Sequence, residues 1–117
     1  MIEWMFALAL LGQDVAPRGP LDVEVPNAIA DLHNRYVLCQ DKHFDAGKVR
    51  DLASFKMETE AAITACSADK TKLKLDAESR LAKASNFADP AKRAAAIAEA
   101  FDGYDRVRRA MAAGTHR

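Results

Sequence analysis

The chain has 117 residues, and its 17 lysine and arginine side chains balance 17 aspartate and glutamate side chains. A chain of this length fits one domain, and the balanced charge argues against nucleic acid and against an anionic membrane surface as partners. Half of the residues are apolar but only 7% are aromatic. We therefore expect a weakly stabilising core, in which a cross-link matters more than it would in a larger protein.

The two halves of the chain carry opposite charge. Residues 1–60 hold 6 basic and 10 acidic side chains, a net charge of −4, and residues 61–117 hold 11 and 7, a net charge of +4. We interpret this pattern as attraction between helices that pack together, with arginines placed near the C-terminus of the last helix. A basic docking surface is the alternative.

Residues 1–26 are predicted to be a signal-like apolar segment followed by an extended leader. Trp4–Leu11 is an unbroken apolar run. It is too short to span a membrane but fits the apolar region of a signal peptide. Three prolines between residues 14 and 26 preclude a regular helix there. We expect export to the periplasm or the cell exterior, with a mature chain beginning near residue 13–17 if the segment is cleaved; an N-terminal helix of a cytoplasmic protein is the alternative.

Residues 27–117 are predicted to form a single helical domain. Its first helix begins after Pro26 with Asn27 as the N-cap. The apolar face of this helix repeats at steps of three and four residues and comprises Ile29, Leu32, Tyr36, Cys39 and His43. Asp45 and Gly47 favour a turn. Either residues 44–51 form the connection to the next helix, or the first helix continues to Arg50.

A long second helix is predicted from Leu52 to about Asn86. Its apolar face comprises Leu52, Phe55, Thr59, Ala62, Ile63, Cys66, Leu73, Ala77, Leu81 and Ala84. Side chains between Ser67 and Thr71 compete for backbone hydrogen bonds, which would allow a bend there.

Asp89-Pro90 predicts the start of a third helix, because the aspartate accepts from free backbone amides and proline is tolerated at the first helical position. The apolar face of this helix comprises Ala94, Ile97, Phe101, Tyr104 and Met111. The predicted fold is therefore all-α, a three-helix antiparallel bundle with a long second helix.

Cys39 and Cys66 are the only cysteines, and each lies on a predicted apolar face. In an oxidising compartment such a pair forms a disulfide, which here would link helices 1 and 2. Closing a loop of about 27 residues is worth about 3.5 kcal/mol in the chain-entropy model. We therefore predict a structural disulfide.

The two cysteines also allow roles other than a structural disulfide. Cys39 and His43 lie four residues apart, so a zinc site could use them with Cys66 and His33. A redox-active pair is disfavoured because the cysteines are far apart in the sequence and in mid-helix. A nucleophilic cysteine with His43 as base would lack an orienting group and an oxyanion site.

The sequence contains no glycine-rich phosphate loop, no nucleophile elbow and no His-Glu-x-x-His motif. Two sets of charged residues are predicted to lie on solvated faces rather than in sites. They are the acid pairs Glu58/Glu60 and Asp102/Asp105, and the basic cluster Lys70, Lys72, Lys74, Arg80 and Lys83.

Four short motifs suggest a relationship. They are Tyr36-x-x-Cys39, His43-Phe44-Asp45, Ile63-x-x-Cys66 and Phe101-Asp-Gly-Tyr104-Asp-Arg106. In these motifs the chain resembles small exported proteins of alphaproteobacteria that have a two-cysteine helical core. The resemblance covers roughly residues 30–110 and implies a helical fold and export. That family has no established activity, so the resemblance assigns no catalytic residue.

We expect a non-catalytic domain that binds a protein or envelope component through a helix face or groove, without a cofactor or metal. It would have no membrane span in the mature chain and would be a monomer or weak homo-oligomer. The alternatives are the zinc module, a small enzyme with His43 as the first candidate, and a subunit of a larger assembly. The last would leave Phe44, Phe55 or Phe87 exposed in the isolated chain.

Overall fold

The computed structural model describes residues 22–114 of the chain, and this part contains four α-helices and no strand. The helices are α1 (Ala30–His43), α2 (Leu52–Ala65), α3 (Ser67–Ala82) and α4 (Pro90–Ala112). The all-α class is thus confirmed. The apolar run Trp4–Leu11 and the first part of the leader lie outside the described residues.

Local capping sets where α2 and α4 begin. The Asp51 carboxylate accepts from the Ser54 amide at 2.9 Å, while the Ser54 hydroxyl oxygen accepts from the Asp51 amide at 3.0 Å, which completes a capping box. The Asp89 carboxylate accepts from the Ala91 amide at 2.9 Å, with Pro90 as the first helical residue. The predicted start of the last helix is therefore confirmed.

The start of α1 differs from the prediction. Asn27–Ile29 form one turn of 3-10 helix, and no side chain caps α1. Asn27 therefore begins the helical run without acting as its cap. At the other end α1 stops at His43, and residues 44–51 connect it to α2 through a 3-10 turn at Ala46–Lys48. Of the two predicted connections, the first is confirmed.

The predicted long second helix is wrong, because the chain breaks at Cys66 into α2 and α3. Cys66 has φ −99° and ψ 8°, outside the α-helical range, yet its amide still bonds to the carbonyls of Ala62 and Ile63. The Ser67 hydroxyl donates to the Thr64 carbonyl at 2.9 Å, a side-chain bond of the kind that bends helices. The described residues therefore form a four-helix arrangement, and Cys66 lies at the junction of α2 and α3 rather than within one helix.

The core lies where α1, α3 and α4 meet. Its buried members are Ile29, Leu32, Tyr36, Cys66, Leu73, Ala77, Leu81, Ile97, Ala100 and Phe101. Most of these positions come from the predicted apolar faces. None of the helices within residues 22–114 combines the length and the hydropathy needed to cross a membrane.

Four residues assigned to apolar faces are exposed instead. His43 and Leu52 stand at helix ends beside the connection, and Ala94 and Met111 lie on the outer side of α4. Because α4 packs against α1, α2 and α3, residues outside the predicted apolar face are also buried, among them Ala100, Val107 and Ala112. One apolar stripe cannot predict all the buried positions of a helix that packs against three neighbours.

Removing the cross-link between α1 and the α2–α3 junction should destabilise the fold. We expect the double variant Cys39→Ala, Cys66→Ala to lose about 3–4 kcal/mol of unfolding free energy, because the unfolded chain regains the freedom of the closed loop. Urea denaturation in metal-free buffer measures this loss. A phosphine reductant should lower the stability of the wild type and leave the double variant unchanged; equal stabilities throughout would contradict the prediction.

Candidate functional site

The two cysteines form the first of two chemical clusters in the described residues. Cys39 lies on the last turn but one of α1, and its sulfur is 2.12 Å from that of Cys66, which is disulfide-bonding distance. The Cα atoms are 6.1 Å apart. Cys66 is fully buried and belongs to the core, whereas Cys39 is half-buried at its edge. The predicted partners are thus brought together.

Two polar side chains lie beside the cysteine sulfurs. One nitrogen of His43 and the sulfurs of Cys39 and Cys66 all lie within 4.8 Å of one another. The Oδ2 atom of Asp69, on the first turn of α3, is 3.4 Å from the Cys39 sulfur. His33, the fourth zinc ligand considered from the sequence, is outside this group and packs edge-to-face on Tyr104 at 5.5 Å between ring centroids. No sequence pattern singled out Asp69 as a ligand, because the predicted long second helix placed it in mid-helix, within the Ser67–Thr71 segment where only a bend was expected.

The second cluster centres on Asp105 of α4, whose side chain is only 4% exposed. Its Oδ1 atom accepts from the Tyr36 hydroxyl at 2.6 Å and from the Gln40 amide nitrogen at 2.7 Å, both on α1. Its Oδ2 atom accepts from the Lys70 ammonium of α3 at 2.8 Å. One carboxylate therefore joins three helices.

Lys70 carries the network outward to the surface. Its ammonium also lies 2.5 Å from Asp102, and Lys74 approaches the same carboxylate at 3.0 Å. The side chain of Asp102 is 48% exposed. Burial opposes its ionisation, but the two ammonium groups prevail and hold the pKa of Asp102 below its ordinary value. Burial likewise acts against the charge of Lys70, and its two carboxylate partners outweigh this and raise the pKa of Lys70.

The same network makes stability depend on pH at both extremes. Burial, followed by the bond to Asp105, raises the pKa of Tyr36 above its ordinary value. Above about pH 10 the unfolded chain loses the Tyr36 proton while the folded chain keeps it, so the free energy of unfolding falls as pH rises. The depressed pKa of Asp102 acts in the opposite direction. Its contribution is present above the ordinary value of 3.8 and is lost as pH falls through the folded-state pKa.

The Asp105 network corrects two sequence-based expectations. Asp102 and Asp105 were placed together on a solvated face, yet Asp105 is buried. Lys70 was assigned to a solvated basic cluster, yet it is half-buried between two carboxylates. Gln40, which no sequence pattern singled out, is fully buried, and its Oε1 atom has no partner among the described residues.

Ion pairs between the halves of the chain confirm the charge interpretation. Three arginines from the basic half pair with three acids from the acidic half: Arg80 with Asp31 at 2.5 Å, Arg108 with Asp41 at 2.9 Å, and Arg109 with Glu60 at 2.6 Å. The last two arginines lie near the C-terminus of α4, as predicted.

Among residues 22–114, a broad groove of about 840 Å³ opens on the surface. It is lined by residues 24–28, the turn that contains Phe87 and the first part of α4, and neither His43 nor a cysteine belongs to the lining. Phe87 packs against the core, and Phe44 lies against Phe55 with ring centroids 5.8 Å apart. All three phenylalanines are half-buried, so the exposure expected of a detached subunit is not found at these positions.

The outer face of α2 carries exposed apolar side chains. One row of the helix, at steps of four residues, consists of Ala53, Met57, Ala61 and Ala65, and all four are exposed. Met57 is 71% exposed and Leu52, beside the row, is 58% exposed. We call these four residues the α2 row.

Comparison of the chain with protein-family models, with curated proteins and with solved structures finds no match.

Two aspartates that share Lys70 provide a matched test of the network. Asp105→Asn should lower the unfolding free energy by about 3 kcal/mol or more, because it leaves a partly buried ammonium facing a donor. Asp102→Asn, at a half-exposed position, should cost under about 1 kcal/mol. Urea denaturation of both variants at neutral pH measures the difference. Similar losses in the two variants would show that burial of Asp105 is not decisive.

Proposed function

We propose that this chain is an exported, disulfide-stabilised helical domain that binds a protein partner through the α2 row and does not act as a catalyst. The single observation that carries the proposal is the exposed apolar row on α2, in which Met57 is 71% exposed. The partner that fits this surface is an apolar helix face of another protein.

The composition of the α2 row favours a helical partner. Alanine side chains at Ala53, Ala61 and Ala65 allow a second helix to approach closely, and helix pairs pack at 8–10 Å depending on the side chains between them. Met57 stands in the row as a flexible, polarizable side chain that can adapt to an irregular partner surface. Lys56 and Glu60 flank the row and would supply a polar rim.

The scaffold holds α2 in place without using the row. The Arg109 guanidinium makes two bonds to the Glu60 carboxylate, at 2.6 and 3.0 Å. Phe55 packs on Phe44 of the connection, and Cys66 ties the end of the helix to α1. A surface held in this way loses little conformational entropy on binding, which supports recognition by a preformed face.

Binding is favoured over catalysis because the polar side chains that converge in the domain are already bonded to one another. In the described residues, the strongest convergence of polar side chains surrounds Asp105, and its two oxygens already accept three bonds from within the domain. Such a cluster stabilises packing and offers no open position for a substrate. His43, the residue first considered for an enzyme, is exposed and lies outside the groove lining.

Export is supported by two independent features. Cysteine sulfurs at bonding distance are typical of proteins that fold in oxidising compartments. The apolar run Trp4–Leu11 has the length of a signal-peptide core.

Photo-crosslinking in the native cells tests the binding surface. A benzoylphenylalanine at position 57 should give one discrete adduct with a protein, whereas the same group at position 75 should not. Leu75 is the matched control, since it is 68% exposed and lies on a charged face of α3. Adding Ala61→Glu to the position-57 chain should abolish the adduct without changing the melting temperature, because a charge would be buried in the contact.

Equal labelling from positions 57 and 75, or an adduct that survives Ala61→Glu, would rule out the α2 row as the binding surface. Turnover of a substrate by the purified protein, lost on His43→Ala, would contradict the non-catalytic part of the proposal.

The intact mass of the protein from its native cells tests both export and the disulfide. After alkylation under denaturing conditions, we expect a chain beginning near residue 13–17, with no alkyl group added and lighter than the reduced form by two hydrogen atoms. Recombinant cytoplasmic protein, alkylated in parallel, provides the control. A native chain that begins at Met1 with two alkylated cysteines would refute export and the disulfide.

A further inference from the structure

We propose that Cys39, Cys66, His43 and Asp69 form a zinc site when the two cysteines are reduced. This inference goes beyond the proposed function, which uses only the disulfide form. The cysteine pair would then have two states, a disulfide without metal and a zinc dithiolate.

The four side chains come in two pairs with suitable helical spacing. Cys39 and His43 are separated by four residues on α1, so they lie on the same face. Cys66 and Asp69 are separated by three residues at the start of α3. Two sulfurs, one nitrogen and one carboxylate oxygen are a complete tetrahedral donor set of the types zinc binds.

The distances require only side-chain adjustment. Ligand atoms around one tetrahedral zinc lie about 3.3–3.8 Å apart, given zinc–nitrogen and zinc–sulfur bonds of about 2.0–2.3 Å. The sulfurs and the His43 nitrogen already lie within 4.8 Å of one another, and Asp69 Oδ2 is 3.4 Å from the Cys39 sulfur. His43 and Asp69 are exposed, so their side chains can rotate toward the metal, while the sulfurs move apart.

The position of Asp69 is the observation that the disulfide alone does not explain. A disulfide sulfur has no hydrogen, so the carboxylate beside Cys39 accepts nothing from it. In the dithiol the same oxygen can accept from the thiol, and with zinc present it can bind the metal. The carboxylate thus fits the reduced states of the cysteine pair better than the oxidised one.

The two states are linked by a balanced exchange. A dithiol reductant transfers two electrons and two protons to the Cys39–Cys66 disulfide, which becomes two thiols while the reductant becomes a disulfide. Zinc then displaces the two thiol protons and binds both thiolates. In the reverse direction a disulfide oxidant takes two electrons from the two thiolates and two protons from water and becomes two thiols. The protein disulfide re-forms, and zinc leaves as Zn²⁺ without changing its own oxidation state.

Such a site would hold zinc where thiols are kept reduced and release it where disulfides form. The covalent or metal link would join α1 to the α2–α3 junction in both states. The fold would therefore keep this constraint during the exchange.

Zinc titration of the full-length chain tests the proposal. The protein, reduced with a phosphine in metal-free buffer, should bind one Zn²⁺ per chain in competition with a chromophoric chelator, and the oxidised protein should bind none stoichiometrically. Cobalt(II) in place of zinc should give the thiolate charge-transfer band and the visible bands of a tetrahedral site. Adding zinc to the reduced protein should also raise its melting temperature.

Ligand variants distinguish a four-ligand zinc site from zinc that is bound by the two cysteine thiolates alone. His43→Asn and Asp69→Asn, at exposed positions that the fold tolerates, should each weaken zinc binding tenfold or more. The matched controls His33→Asn and Asp76→Asn should leave it unchanged, and Cys66→Ser should abolish it. The proposal would be overturned if the reduced protein bound no stoichiometric zinc. It would also be overturned if both ligand variants bound zinc as tightly as the wild type.

Discussion

The buried carboxylate of Asp105 is the interaction on which the packing of the helices depends. It projects from α4 and is satisfied only when Tyr36 and Gln40 on α1 and Lys70 on α3 reach it together. Losing one partner of a buried charge costs several kcal/mol, which is a large share of the stability of a small domain. Alanine-rich helices can slide past one another at little cost in apolar contact. We interpret the Asp105 network as the feature that selects their register.

The cysteine pair and the Asp105 network join the same parts of the chain. Cys39 is adjacent to Gln40 on α1, and the amide of Lys70 bonds to the carbonyl of Cys66 at the start of α3. A covalent link and a set of charged hydrogen bonds therefore both join α1 to α3, and on each helix they lie within about one turn of each other. Helix α2 contributes no member to this network, although it packs on α1 and α4. Its outer row is exposed along the whole helix, and the last member of the row, Ala65, directly precedes Cys66.

Local signals in the sequence were sufficient for much of this architecture. Asp89-Pro90 marks a helix start through groups that lie within one turn, and the repeat of Ile29, Leu32 and Tyr36 follows directly from the helical period. The opposite charge of the two halves predicted attraction between helices, because long-range charge complementarity is visible in composition. The pairing of Cys39 with Cys66 needed no geometry, since no third cysteine competes with it.

Only the tertiary structure decided the residues that combine distant parts of the chain. Asp105 looks solvated beside Asp102 and Arg106, and its burial depends on donors that lie 35 to 69 residues away. The break at Cys66 leaves the helical repeat of apolar residues intact, so periodicity could not reveal it; only the competing side chains from Ser67 to Thr71 indicated a bend close by. The approach of Asp69 to Cys39 likewise follows from the packing of α3 against α1. A sequence pattern reports contacts within one helix, whereas the partners of a buried charge and the approach of Asp69 to Cys39 are set by how separate helices meet.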